Sequence, residues 1–399
     1  MTLPAVTEDS IIAAVADAIR TREPLLVQGN GTKSGLMRPV RAAHTVSTAG
    51  LSGITLYAPK ELIISAKAGT PLAEIEAALT EAGQYMIAEP PDLSALLGGN
   101  GNPQTLGGIV ATNLSGPRRV AWGAIRDHVL GIRAVNGRAE LIRSGGRVLK
   151  NVTGLDLCKL FTGSYGTLGV ITEITMKVLP RPAATGTLVL PGLDAAAGIA
   201  ALSAALGSPF GVSAAAWLPA EAVPRAIMDG ISGPAALIRI EDFADSVTHR
   251  IGRLRDQFAV AGAVTLDTKA SRPLWDAIRD VRPLAPRAED AVWRVSVRPS
   301  AGAKVLDALD PYGVTGFLDW GGGLVWLAGP ADVTTHQAVE AAARAAGGTW
   351  ALMRAPDALR GTVRVIPDEP PALARITRQV KAALDPAGVF NPGKLYAGV

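Results

Sequence analysis

Eight residues carry the first sign of chemistry in this chain: Gln28-Gly29-Asn30-Gly31-Thr32-Lys33-Ser34-Gly35. They follow the apolar run Leu25-Leu26-Val27, which reads as the end of a strand. Glycines at 29, 31 and 35 permit positive φ and leave no Cβ in the way. Successive backbone N–H groups in such a loop converge on one point and form a nest for an anion. Two phosphate loops come close and fail. A P-loop has Gly directly before Lys-Ser, where Thr32 stands, and the dinucleotide fingerprint has a third Gly where Ser34 stands. Taken alone the loop is equally an ordinary turn, and its meaning comes from what lies downstream.

Other reactive side chains are sparse. The one cysteine, Cys158, excludes an internal disulfide and a cysteine-held iron–sulfur cluster, and fits a reducing compartment. His44, His128, His249 and His336 are scattered and none has metal-ligand spacing. Arg118 and Arg119 can grip a carboxylate in bidentate fashion. They can equally hold a cofactor phosphate or a protein carboxylate, and the last is the ordinary role.

The 399 residues suffice for two or three domains and a large core. A hydrophobic fraction of 48% with 19% charged residues marks a globular chain, not a disordered one. Thirty-nine basic against 35 acidic residues, with no Lys/Arg run, do not point to nucleic acid. Residues 1–20 lack a basic leader and carry Glu8, Asp9 and Asp17, so they do not read as a signal peptide. The uncharged stretch 195–220 is mostly alanine and is broken by Gly207-Ser208-Pro209. It reads as a helix to about Leu206 and then a strand through Val212 and Trp217, not as a membrane span.

The elements that must position the loop follow in order. Thr7 or Asp9 caps a helix to about Arg20, with Ile11, Ile12, Val15 and Ile19 on one face. A strand at Leu62–Ala66 leads to Gly69-Thr70-Pro71, where Thr70 is the expected N-cap of a helix ending at Gly83. Glu89-Pro90-Pro91-Asp92 is a rigid turn and Gly98 to Pro103 is loop. Thr105 to Asn113 mixes apolar residues with Gly107 and Gly108, as where backbone approaches a ligand closely. Asn136-Gly137 joins Val129–Val135 to Ala139–Arg143 as a hairpin. Lys150 to Phe161 reads as a helix capped by Thr153, with Cys158 as a buried structural thiol. A strand covers Ile171–Val178, and Leu179-Pro180-Arg181-Pro182 closes a first domain of residues 1–180. Residues 186–365 form a second α/β domain, with no internal repeat visible. Residues 370–399 hold a helix from Ala372 to Leu384, with Arg375, Arg378 and Lys381 on a solvated side, and a tail with Phe390-Asn391-Pro392-Gly393-Lys394.

This order of motifs resembles the FAD-binding flavoproteins of the vanillyl-alcohol oxidase/p-cresol methylhydroxylase type. Pro90-Pro91-Asp92, Thr105-Leu106-Gly107-Gly108 with Asn113, Gly163-Ser164-Tyr165-Gly166-Thr167-Leu168-Gly169-Val170-Ile171-Thr172 and the terminal Phe-Asn-Pro-Gly-Lys carry the likeness. Ser115-Gly116-Pro117-Arg118-Arg119 and Lys150-Asn151-Val152-Thr153-Gly154-Leu155-Asp156 narrow it to the smaller FAD-binding subunits of bacterial glycolate oxidases (dehydrogenases). The resemblance implies an α+β fold: two α+β subdomains that hold FAD, then a cap-like domain, with the tail returning to the flavin domain. It implies that Gly29, Asn30, Gly31, Thr32, Lys33 and Ser34 hold the pyrophosphate, and that Pro90, Asp92 and Leu93 line the next segment. Leu106, Gly107, Gly108, Ala111, Asn113, Ser115 and Gly116 would run under the flavin and ribityl chain. Gly169 and Ile171 would hold the adenine end, and Asn391 and Lys394 would close the site. Relatives with covalent flavin carry His in the loop where Thr32 stands, so FAD is expected to be noncovalent. Catalytic relatives carry His-x-Gly-Asp-Gly-Asn-x-His, and the nearest stretch, Asp319 to Trp326, has no His.

The implied function is the FAD-bearing subunit of a glycolate-oxidising complex. Its substrate would be a small 2-hydroxy acid, and its partners a larger FAD-binding sister subunit and an iron–sulfur subunit. Its location would be cytoplasmic, peripheral to the inner membrane only through the complex. A stand-alone FAD oxidoreductase acting on another hydroxy acid or a sugar, and a flavin-free structural subunit, remain the alternatives.

Overall fold

Thr7 sets where the first helix begins. Its hydroxyl accepts from Ser10 N at 3.1 Å, while Ser10 Oγ accepts from Thr7 N, a reciprocal cap that satisfies two otherwise orphaned donors. The helix Glu8–Thr21 buries Ile11, Val15 and Ala18 against Leu25, Val46, Val389 and Phe390. Beneath it lies a parallel three-stranded sheet of Leu25–Gln28, His44–Ser47 and Thr2–Pro4, with His44–Ser47 central. The computed structural model describes every residue except 1, 5, 100, 147–154, 227–229 and 399.

A second sheet is antiparallel, in the order Ile54–Ala58, Ile63–Lys67, Val170–Lys177, Val129–Val135, Leu141–Gly145. The expected hairpin forms, but not through a two-residue turn. Asn136 Oδ1 accepts from the backbone of Arg138 and Glu140, at 2.9 and 3.0 Å, and makes a longer loop. Gly137 is needed for space, since a Cβ there would lie 2.5 Å from Asp385 Cα.

Three expectations in this half need correction. Pro71, not Thr70, precedes the helix Leu72–Glu81, and the Thr70 hydroxyl is spent on Gly53 N at 2.9 Å. Thr105 to Asn113 is a helix, Leu106–Thr112, whose N-terminus is capped by Thr105 and whose end turns left-handed at Asn113. The helix containing Cys158 is short, Leu157–Phe161, and Asp156 caps it; Thr153 and the rest of its motif through Gly154 lie outside the described residues. Cys158 itself is buried, and burial pushes its thiol up to about 11.

The middle of the chain builds one eight-stranded sheet in which every pairing is antiparallel. Strands and helices alternate in sequence as a parallel α/β unit would, yet the topology is different. Ala184–Pro191, helix Ala195–Leu206, Val212–Leu218, Ala235–Asp242, helix Ala244–Phe258 and Val264–Leu266 make one β-α-β-β-α-β unit. Ala291–Ser296, helix Gly302–Leu309, Thr315–Asp319, Leu324–Gly329, helix Val333–Ala345 and Thr349–Arg354 make a second. In both, the first strand lies between the third and the fourth, and the second lies outside the third. The units meet edge to edge where Trp217 pairs with Leu318. A structural repeat therefore exists where the sequence shows none.

The halves share a core. Leu36, Met37, Leu93, Leu96 and Leu114 from the first half join the large apolar cluster of the eight-stranded sheet. The last helix, Pro371–Leu384, leads the tail back: Leu25 N donates to Val389 O, and Asn391 N to Leu25 O. On this helix Lys381 is not solvated. Its ammonium meets Asp385 at 2.7 Å and the carbonyls of Thr167 and Phe390, which locks helix and tail to the first half. Among the described residues no helix is long and apolar enough to cross a membrane.

Candidate functional site

The Gly-loop comes first from Leu25–Gln28, held in the parallel sheet, and it is stapled at its exit. Arg360 Nη1 donates to the carbonyls of Gly35 and Met37 at 2.6 and 2.9 Å. Arg38 reciprocates by donating to Gly361 and Val363, and its own N–H goes to Lys394 O. Nothing in the spacing of Arg38 or Arg360 marks them in sequence, because the pair is separated by more than 300 positions.

Of the loop glycines, only Gly31 has positive φ, at 74°. Gly29 serves by close approach, since a Cβ there would stand 2.3 Å from Thr105 Oγ1. The N–H groups of Gly31, Thr32 and Lys33 have no partner among the described residues, so they remain free donors at a nest.

These residues line a cavity of about 100 Å³. Gly29, Asn30, Gly31, Thr32, Lys33 and Ser34 line one wall; Gly107, Gly108 and Ala111 line another; Gly169, Ile171, Asn391 and Lys394 close it. Gly107 owes its lack of a side chain to packing, because a Cβ would meet Ala68 Cβ at 2.8 Å. Sequence reasoning missed Leu26, Val27, Gln28, Thr48, Thr105 and Thr112 in the lining, and did not assign Tyr165 or Gly166 to it. The strand and cap residues were visible as elements, but not as cavity walls.

The other expected residues do not line this cavity. Leu106 is core, and Asn113 Oδ1 accepts from Arg126 N. Leu93 packs into the large core, and the Asp92 N–H donates to Asp280. Pro90 faces a separate charged cleft. Ser115 Oγ accepts from Ile125 N, and a Cβ on Gly116 would strike Glu89 O at 2.4 Å.

Asn391 organises the cavity floor. Its side-chain carbonyl accepts from Val27 N at 2.7 Å and its amide donates to Tyr165 O at 2.8 Å, so the tail completes the edge that the Gly-loop leaves. Lys33 reaches Gln104 Oε1 at 2.9 Å and Lys394 reaches Ser34 O at 3.2 Å. Neither has an ion-pair partner among the described residues. Burial pushes the Lys33 ammonium down to about 8 against the pull of Asp92, and burial with the nearby Arg360 does the same to Lys394. Free N–H donors, two uncompensated cations and a side-chain-free cradle fit a pyrophosphate.

Between the halves sits a closed ionic cluster. Arg239 grips Glu89 through two 2.9 Å bonds, and Arg118 grips Glu241 at 2.9 and 2.6 Å while reaching Glu89 at 3.0 Å. Burial pushes Glu89 and Glu241 up, but the guanidiniums outweigh it and hold both below the usual carboxylate range, Glu241 at about 2. Arg118 thus takes the protein-carboxylate role.

The FAD binding domain family matches residues 3–145. Glycolate oxidase subunit GlcE of Escherichia coli K12 is 36% identical over 97% of this chain and 97% of its own length. Glycolate oxidase subunit GlcD of Bacillus subtilis is 31% identical over 44% of this chain and 36% of its own. The structure of p-cresol methylhydroxylase with substrate bound superposes with a TM-score of 0.73 at 14% identity, covering 98% of this chain and 88% of that one, and shows the likeness of fold.

Proposed function

The chain belongs to the FAD-linked oxidoreductase family of the glycolate oxidase E subunits, and we propose that it is the FAD-bearing subunit of a complex oxidising glycolate or a related 2-hydroxy acid. The observation that carries this reading is the nest of Gly29 to Ser34, which brings Lys33 with it, and Lys394 lining the same cavity. In it, Gly31, Thr32 and Lys33 offer N–H donors to the pyrophosphate, while the two ammonium groups neutralise it. Gly107, Gly108 and Ala111 hold the ribityl side, Gly169 and Ile171 the adenine side, and Asn391 keeps both walls in register. Residues 1–180 with the returning tail of 370–399 form the FAD unit, and 186–365 the cap. FAD supplies hydride acceptance and one-electron transfer; the protein supplies placement and exclusion of water.

No histidine or cysteine lines the cavity among the described residues, and Thr32 occupies the loop place where covalent relatives carry His. Both points support a flavin held without a covalent bond. His128 and His336 are buried inside the fold, His44 meets Glu23 at 3.1 Å and His249 is exposed, so no histidine stands ready to take a hydroxyl proton. Substrate oxidation then depends on a larger FAD-binding sister subunit, with an iron–sulfur subunit taking the electrons.

One preparation tests both points. Acid denaturation should release all flavin as free FAD, and the FAD-loaded chain alone should reduce dye with glycolate slowly or not at all, gaining activity only when co-purified with its partners. Flavin retained in the precipitate overturns the first, and full turnover by the lone chain overturns the second.

A further inference from the structure

Two guanidiniums between the halves are unlike those of the ionic cluster. Arg119 and Arg294 both stack on the ring of Trp320, with centroid distances of 4.6 and 4.9 Å. Neither has a hydrogen bond or an ion pair to its guanidinium among the described residues. Each is half-buried, and burial weighs most on the Arg294 guanidinium. The carboxylates that act on them are engaged elsewhere: Asp127 accepts from Ala124 N at 2.8 Å, and Asp319 accepts from Trp320 N and is pushed up to about 7 by burial, while Glu89 and Glu241 are matched by Arg118 and Arg239. Arg119 and Arg294 therefore add positive charge to a partly desolvated place where no carboxylate pairs with them directly and only the more distant Asp127 and Asp319 pull on them. Burial, and then Arg119, pushes the Arg294 guanidinium down to about 10.

The ring they share is held under strain. Trp320 has φ of 53°, in the left-handed region that a bulky residue rarely adopts, and Gly321 and Gly322 follow at 66° and 101°. This turn ends the strand Thr315–Asp319 and swings the indole toward the other half, where Nε1 donates to Gly116 O at 3.1 Å. Asp319, buried, accepts from Trp320 N at 2.7 Å. Tyr165 lines the cofactor cavity on one side and feels the charge of Arg294 on the other. The unpaired charges thus stand next to the cavity wall.

We propose that Arg119 and Arg294, set against Trp320, form a binding site for the carboxylate of a small organic acid, beside the cofactor cavity and shared between the two halves of this one chain. Planar guanidiniums with free N–H edges suit a carboxylate in bidentate geometry, and the stacked indole keeps both planes fixed. The choice of a 2-hydroxy acid or its 2-oxo product as the natural ligand rests on the function proposed above; the anion site itself does not.

The test is calorimetric titration of the FAD-loaded chain with oxalate, a carboxylate that is not oxidised there, with glycolamide as the uncharged control. Oxalate should bind with one site per chain, and glycolamide should not. Arg119→Met and Arg294→Met should each weaken oxalate at least about tenfold while flavin absorbance stays unchanged, and Trp320→Phe should remove the oxalate-induced change in tryptophan emission. Failure of the wild-type chain to bind oxalate overturns the proposal. So does binding only when FAD is absent, which would give the arginines to the cofactor's own phosphates. Should Arg294→Met not fold, undiminished oxalate binding by folded Arg119→Met is enough to overturn it. The two readings separate cleanly. Oxalate binding lost in the variants, in a chain whose complex never oxidises glycolate, keeps the site and removes the function. A complex that oxidises glycolate with unchanged KM in both variants keeps the function and removes the site.

Discussion

Arg118 and Arg119 are adjacent in the chain and meet opposite fates, and the same contrast separates two regions of the molecule. In the cluster between the halves, Arg118 and Arg239 are matched by Glu89 and Glu241. Around the cavity, Lys33 and Lys394 have no such partner, although burial pushes both down to about 8. A cluster that neutralises itself holds two pieces of protein together. A cavity that leaves its cations uncompensated costs stability when empty and regains it when an anion arrives. The difference separates charges that the fold answers from charges left open to the proposed ligand.

The largest expected effect lies in the matched cluster. Arg239→Ala should cost about 3–5 kcal/mol in urea unfolding, because it leaves the buried Glu89 and Glu241 carboxylates to share the one guanidinium of Arg118. Lys33→Met, which breaks no ion pair, should change stability by less than about 1 kcal/mol. Equal losses would erase the contrast.

Next comes the nest. Gly31→Val should weaken FAD about a hundredfold or more, since a β-branched residue resists the φ of 74° and fills the phosphate space. Flavin titration of the folded variant checks this, and unchanged affinity would move the phosphate elsewhere.

The matched cluster also predicts an acid limb. The Glu241 carboxyl, ordinarily near 4.5, is held at about 2 in the fold. Its stabilisation is complete above pH 4.5 and is lost as pH falls toward 2. Urea midpoints at about pH 7, 5 and 3.5 should drop with acidity in the native chain, and the drop should shrink in Glu241→Gln.

The smallest effect sharpens the cavity side. Lys33 and Lys394 lose their protons as pH rises through about 8 in the empty cavity. FAD affinity should therefore fall by about tenfold between pH 7 and 9.5, and a flat profile would detach the lysines from the pyrophosphate.

Local chemistry was legible wherever it is also local in space. Thr7 with Ser10 starts a helix, the Val129–Val135 strand turns back after Asn136, and Ala195–Leu206 ends before Gly207-Ser208-Pro209, all through contacts within a few residues. The Gly-loop was readable as a turn or an anion nest because of its glycines, and Asn391 and Lys394 became candidates only through the family resemblance. Thr70 misled because the N–H of Gly53 competes with those of the helix for one hydroxyl, and Gly53 lies across a loop that sequence does not bring near. Lys381 misled because its helical position is amphipathic, while the tail that buries it arrives only through the fold.

By itself, the sequence determined the element order, the turn chemistry and the place of a Gly-rich loop, since these depend on φ preference and short-range hydrogen bonds. Tertiary structure alone decided the doubled β-α-β-β-α-β sheet, because strand order depends on pairing between segments that share no visible repeat. It alone decided that Arg118 is neutralised and Arg119 is not. Neighbours in sequence leave the backbone in different directions, and a guanidinium takes its role from the carboxylate, or the empty space, that another part of the chain places before it.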